Sequence, residues 1–90
     1  MMHYIAIVVP SEDGHWRVLF PDVAGCEGRG LDLHDAKLAA RDALSRRAKQ
    51  NGSELPPPRD LSAIEHDEAW IARNGIDLSR AIVTMVSLPT

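Results

Sequence analysis

Residues 20–44, FPDVAGCEGRGLDLHDAKLAARDAL, decide how this chain folds: within them an apolar run stops, the chain reverses through glycines, and a long helix begins. Pro21 has no N–H to give to a sheet, so the run ending at Phe20 must stop there or lie at an edge. Gly25, Gly28 and Gly30 follow at short intervals. Each can take positive φ or let another backbone come close, which suits a tight reversal and a short, kinked strand around residues 26–29. Asp32 then caps a helix by accepting from the N–H groups of residues 33–35, and Asp35 adds the negative charge that a first turn favours. Arg46, Arg47 and Lys49 complement the negative helix end near Gln50, and Gly52 supplies a left-handed stop.

Outward from this stretch, residues 4–9 (YIAIVV) form a nearly continuous β-branched run. That fits a strand covered on both faces, or on one face plus a partner. Ile5, Ile7 and Val9 share one side of it, and Tyr4, Ala6 and Val8 the other. A polar turn ending in Asp13-Gly14 leads to residues 16–20 (WRVLF), an antiparallel return with apolar residues around Arg17. On the helix, Leu33, Ala36, Ala40, Ala43 and Leu44 fall on one side, with Arg47 drifting onto it. The three alanines predict close packing on a sheet, while Leu38 lies off the stripe, either as a common exposed single leucine or as a subunit contact. Pro56, Pro57 and Pro58 make an extended spacer. A second helical pattern from residue 60 or 62 carries Leu61, Ile64, Ile71 and Ala72 on one side, leaves Trp70 off it, and stops at Asn74-Gly75. Residues 81–88 (AIVTMVSL) read as a final strand, expected to pair with the first. The order is strand, strand, short strand, long helix, second helix, last strand: an α+β layer with the long helix on one sheet face.

Ninety residues suit one domain, and a chain this short buries only about 60% of the surface its unfolded form exposes, so association would help it. The aromatic fraction is only 4%, which makes aliphatic burial carry the core and Tyr4, Trp16, Phe20 and Trp70 individually informative. The formal charge of −3 makes the whole chain a poor counterion for nucleic acid. Residues 31–52 hold five Lys or Arg against three acids, and residues 53–80 hold three against six, so a basic helix precedes an acidic region. An acidic face of that kind suits a basic protein partner; a solvated mixed surface is the plainer reading. A single cysteine forms no internal disulfide, and the amino-terminal apolar run is too short for a signal core or a membrane span, so a cytoplasmic protein is expected.

Taken together, the Tyr-initiated strand, the acidic turn ending in Gly14, Phe20-Pro21-Asp22, Gly25-Cys26, Gly30 and the helix with Ala36 resemble the HicB family of antitoxins. The likeness runs through the prolines at residue 58 and more weakly over the final strand. Ala24 stands where the family usually has proline, and His34 where its helix usually has an acid. The resemblance implies a partial ribonuclease-H-like fold: a small, mainly antiparallel sheet in β-β-β-α-β order with one long helix packed on it, as a single domain over residues 1–90. It further implies the antitoxin half of a toxin–antitoxin pair, which binds a HicA-like mRNA-cleaving toxin and masks its active site, and a homodimer or higher oligomer. Many HicB proteins carry a C-terminal DNA-binding segment; the sequence ends at Thr90, after the last strand, and DNA binding by this chain is not expected.

A working ribonuclease H needs carboxylates converging on divalent cations, and the strand runs 4–9 and 81–88 contain no Asp or Glu. Asp22, Asp35 and Asp42 read as a turn residue, a helix-start acid and a solvated face. The four histidines show no metal-ligand spacing, and Cys26 reads as a small buried hydrophobe rather than a nucleophile. No enzyme activity, metal or cofactor is expected. The motif residues Phe20, Pro21, Asp22, Gly25, Cys26, Gly30 and Ala36 are assigned structural roles. Asp67, Glu68 and Trp70, an aromatic beside acids, are the candidates for partner contact, against the equal alternative of a helix covering a sheet edge with Trp70 buried. The rival functions are an oligomeric regulatory or structural module without a toxin, and a degenerate nuclease.

Overall fold

A central strand carries apolar side chains on both faces, and the rest of the chain supplies a cover for each. In the computed structural model, which describes residues 2–50 and 55–88, β1 (Met2–Pro10) is followed by β2 (Trp16–Leu19), β3 (Glu27–Gly30) and α1 (Leu33–Gln50). Two short helices, α2 (Leu61–Glu65) and α3 (Glu68–Asn74), and one 3-10 turn (Leu78–Arg80) lead to β4 (Ile82–Leu88). The strand order is β3-β2-β1-β4, every neighbouring pair antiparallel. The expected pairing of last strand with first is present, with Tyr4 opposite Val86 and Ile5 opposite Met85.

Alternation along β1 sorts its side chains as the sequence predicts. Tyr4, Ala6 and Val8 join Val18, Phe20 and the alanines of α1 in one core. Ile5, Ile7 and Val9 join Leu19, Ile64 and Ile76 in a second core on the opposite face. The continuous apolar run therefore needs no outside partner, because α1 covers one face and the segment carrying α2 and α3 covers the other. Tyr4, fully buried, donates from its hydroxyl to the Pro56 carbonyl at 2.7 Å, which ties the proline spacer to the helix-side core. Burial, with the negative charge of Asp22 second, raises the Tyr4 pKa above its usual value.

The seat of α1 is set by β3. A side chain placed at Gly28 would come within 2.6 Å of the Ala40 Cα and 2.8 Å of the Ala36 carbonyl oxygen, and one at Gly30 within 2.7 Å of the Asp35 carbonyl carbon. Only glycine lets the helix backbone lie this close to the strand. Asp32 caps the helix as expected, accepting from the Asp35 N–H at 2.8 Å. The stop expected at Gly52 lies outside the described residues.

Two details of the helices differ from the sequence reading. The buried row of α1 is Ala36, Ala40, Leu44 and Ala48, while Leu33 is 37% exposed. Contact with β3 begins at Asp35 and Ala36, so Leu33 stands ahead of the seat, and a strict four-residue row carries burial on to Ala48. The single second helix is instead two, because Asp67 accepts from the Trp70 N–H and starts a new helix that resets the phase. Ile64 is then buried, and Ile71 and Trp70 pack at the margin of the second core. Gly75 ends α3 in the left-handed conformation, φ 63°.

Gly28→Ala is expected to lower stability by about 1–3 kcal/mol, because the atoms it meets are helix backbone and have no rotamer to yield. Gly14→Ala, at φ +86° in open space, should cost about 1 kcal/mol from backbone conformation alone. Urea unfolding of both variants reads the difference.

Candidate functional site

The turn after β2 is built on its own backbone: the Val23 N–H donates to the Phe20 carbonyl at 3.2 Å and the Cys26 N–H to the Val23 carbonyl at 3.2 Å. Phe20, Val23 and Cys26 face inward, and this leaves Asp22 turned toward the segment that follows the prolines. The Asp22 side chain is only 3% exposed. It accepts from the Arg59 backbone N–H at 2.8 Å and from Arg59 Nε. A second guanidinium nitrogen of Arg59 donates to Asp67 at 3.2 Å. Asp67 also holds the first turn of α3. Asp22, Arg59 and Asp67 thus form a continuous bridge from the β2–β3 turn to the start of α3.

Electrostatics follow the bridge. The hydrogen bond from Arg59 to Asp22, helped by the one to Asp67, outweighs burial and raises the Arg59 pKa. The Trp70 N–H, then Arg59, holds the Asp67 carboxyl below the usual carboxylate value. Burial pushes the Cys26 thiol pKa up, against the opposing charges of Arg47 and Arg46, which suits the hydrophobe assigned to it rather than a reactive thiolate.

Beside the bridge lies an open cleft of about 490 Å³ between the β2–β3 turn and α3. Pro21, Gly25 and Cys26 line it from one side, Asp67 and Trp70 from the other, with Arg17, Glu27 and Arg73 also on its walls. Four of the motif residues, Phe20, Pro21, Gly25 and Cys26, and two of the three candidate contact residues, which the sequence keeps more than forty positions apart, therefore meet at one place. Glu68 does not line the cleft; it is exposed on α3 next to it. The Asp67 carboxylate is already engaged within the chain, which leaves Glu68 as the outward acid and Trp70 as the half-buried aromatic. Gly30 and Ala36 sit apart from the cleft, at the β3–α1 seat. Arg59 escapes sequence reasoning because an arginine after three prolines carries no periodic or motif signal; its only cue is Asp22, 37 positions earlier.

Among the described residues no three His, Cys, Asp or Glu side chains gather as a metal-binding group. His3 pairs with Ser87 Oγ at 2.7 Å and His66 with the Ser62 carbonyl at 2.7 Å. No described helix is long and apolar enough to cross a membrane.

Comparison with solved structures finds the same architecture along the whole chain. A chain of a HicA3–HicB3 toxin–antitoxin complex superposes with TM-score 0.66 at 24% identity, covering 99% of this chain and 100% of that one. The N-terminal domain of Burkholderia pseudomallei antitoxin HicB gives TM-score 0.73 at 16% identity, with 99% and 100% covered. The chain has the HicB fold. Against a crystal structure of antitoxin HicB3 the TM-score is 0.69 at 23% identity, and 98% of this chain spans 62% of that one. No protein-family model and no curated protein matches the sequence. In this HicB-like domain the Phe20-Pro21-Asp22 stretch ends β2, buries Phe20 under α1, and aims Asp22 at Arg59.

Removing the Arg59 side chain leaves a nearly buried carboxylate with one backbone partner, so Arg59→Ala should cost about 1–2 kcal/mol, discounted for its partial exposure. Combining it with Asp22→Asn should cost less than the sum of the two single changes, as read by a double-mutant cycle in urea. Asp13, Asp67 and Asp77 all have lowered pKa values in the fold, held by the His15 N–H, the Trp70 N–H and the Ser79 hydroxyl respectively. Their contribution is therefore present above the unfolded value of about 3.9 and lost as pH falls through the folded values. The urea midpoint should drop below about pH 4, and Asp67→Asn, which keeps a capping side chain, should make the drop shallower.

Proposed function

We propose that this chain acts as an antitoxin: a non-enzymatic protein that binds a HicA-like, mRNA-cleaving toxin and masks its active site. The observation that carries this reading is the likeness, over essentially the full length of both chains, to a chain of a HicA3–HicB3 toxin–antitoxin complex. The charge distribution supports it. The segment covering the second sheet face presents Glu65 and Glu68 outward, and its half-buried Trp70 lines the cleft with Asp67; an aromatic on an acidic segment suits a small basic protein. The contact set is Glu68 and Trp70 with the adjoining cleft, and Asp67 acts by fixing the turn that presents them. Cleavage chemistry then belongs to the partner, and this chain contributes shape and charge.

Coexpression with the product of a short basic reading frame beside its own gene, followed by native mass measurement, tests the partner and its stoichiometry together. The expected result is a stable complex in which the toxin's ribonuclease activity is lost. Glu68→Lys, an exposed change that leaves the fold intact, should weaken the complex about tenfold, chiefly through slower association at low salt. Failure of the two proteins to associate would overturn the proposal.

A further inference from the structure

The two edges of the sheet are finished in opposite ways. β3 is four residues long, carries Glu27 and Arg29, and has α1 packed against it. β4 is seven residues long, IVTMVSL, with no charge and no proline, and among the described residues it pairs only with β1. Ile82 is 43% exposed, Val83 45% and Met85 57%. A long, uncharged edge with apolar side chains is the kind that natural sheets protect unless another strand is meant to pair with it.

The flank of α1 nearest β4 has a matching character. His34, Lys37, Leu38 and Arg41 form one wall of a groove of about 310 Å³ whose other wall is Met85, Val86 and Ser87. Lys37 and Arg41 stand four positions apart on the same face, a like-charge spacing that costs an isolated helix stability. Neither is in an ion pair among the described residues, whereas Arg46 on the same helix is paired with Asp42 at 3.3 Å. Leu38, 51% exposed, lies between them. The groove thus combines an unpaired strand edge, apolar walls and uncompensated positive charge.

We propose that the β4 edge is a second docking surface, which accepts an extended protein segment of alternating acidic and apolar residues as a fifth strand. Main-chain hydrogen bonds to β4 would supply the pairing, carboxylates on the α1 side would meet Lys37 and Arg41, and apolar side chains on the other side would cover Val83 and Met85, which share a face with Ile7 and Ile5. A second copy of this chain offers an equally uncharged strand and brings another row of cations with it, leaving the charge on both unmet. Nucleic acid would find no Phe, Tyr or Trp side chain among the residues lining the groove on which to stack a base. The surface is independent of the proposed toxin contact: it carries the opposite charge and involves different elements.

The test uses a synthetic heptapeptide alternating Glu and Val, titrated into the 15N-labelled protein. The expected result is amide shift changes confined to α1 residues 34–41 and β4, slowed hydrogen exchange in β4, and binding weakened by salt. A peptide alternating Lys and Val should bind at least about tenfold more weakly, and the surface double change Lys37→Glu with Arg41→Glu should reverse that preference. Equal binding of the two peptides, or binding without slowed exchange in β4, would overturn the proposal. So would tighter binding of a short oligouridylate in the same groove, or self-association through β4 that the acidic peptide does not displace.

Discussion

The close approach of α1 to β3 is the constraint on which the rest depends. Two glycines remove the side chains that would hold helix and strand apart, and two alanines, Ala36 and Ala40, present the helix backbone to them. Once that seat is fixed, the helix has little freedom to roll, and its buried row is set for its whole length. The same seat brings the long side chains of the opposite flank toward β4. A helix that lay farther from the sheet, on leucines, would not define a groove beside that edge. A change at β3 is therefore felt at the other side of the sheet, through the rigidity of α1 rather than through a chain of contacts.

The second consequence concerns β1. A strand with apolar residues at every position between Tyr4 and Val9 is unstable unless both faces are covered, and α1 can cover only one. The segment between the prolines and β4 covers the other face, with Ile64 and Ile76 in the core and Trp70 at its margin. That segment is built from helices of five and seven residues, too short to be stable alone. Its position depends on being held at several points: the Tyr4 hydroxyl on Pro56, Asp22 on Arg59, and Arg59 on Asp67. The aspartate of the turn motif thus serves the remote face of the sheet, although it sits in the loop that leads to the near one.

How much of this the sequence disclosed depends on the range of the interaction. Features set within one turn of chain were legible: the Asp32 cap, the alternation in β1 and the stop at Gly75; the sequence also offered positive φ or close approach for each glycine, and only the fold assigns the first to Gly25 and the second to Gly28 and Gly30. The pairing of β4 with β1 was also legible, because two long apolar strands leave few other arrangements. Helix phase was less so, since Leu33 and Ala48 both satisfy the spacing and only the position of the glycine seat decides between them. The break at Asp67 was hidden because a cap in the middle of a helical pattern looks like one more polar residue. The bridge through Arg59 had no local signature at all. Its partners are 37 and 8 positions away, so only the fold brings them together.

The charge asymmetry visible in the sequence takes on spatial meaning in the fold. The basic residues of α1 and the acidic residues of the later segment do not neutralise each other, because the sheet separates them. Each layer keeps its own sign. A small domain with a thin aromatic supply gains little from leaving such charges unpaired, and the like-signed Lys37 and Arg41 work against the helix that carries them. Stability alone does not account for that arrangement. The two proposed docking surfaces would account for it: surfaces of opposite sign, separated by the sheet, would engage two partners of different chemistry without competing for the same residues.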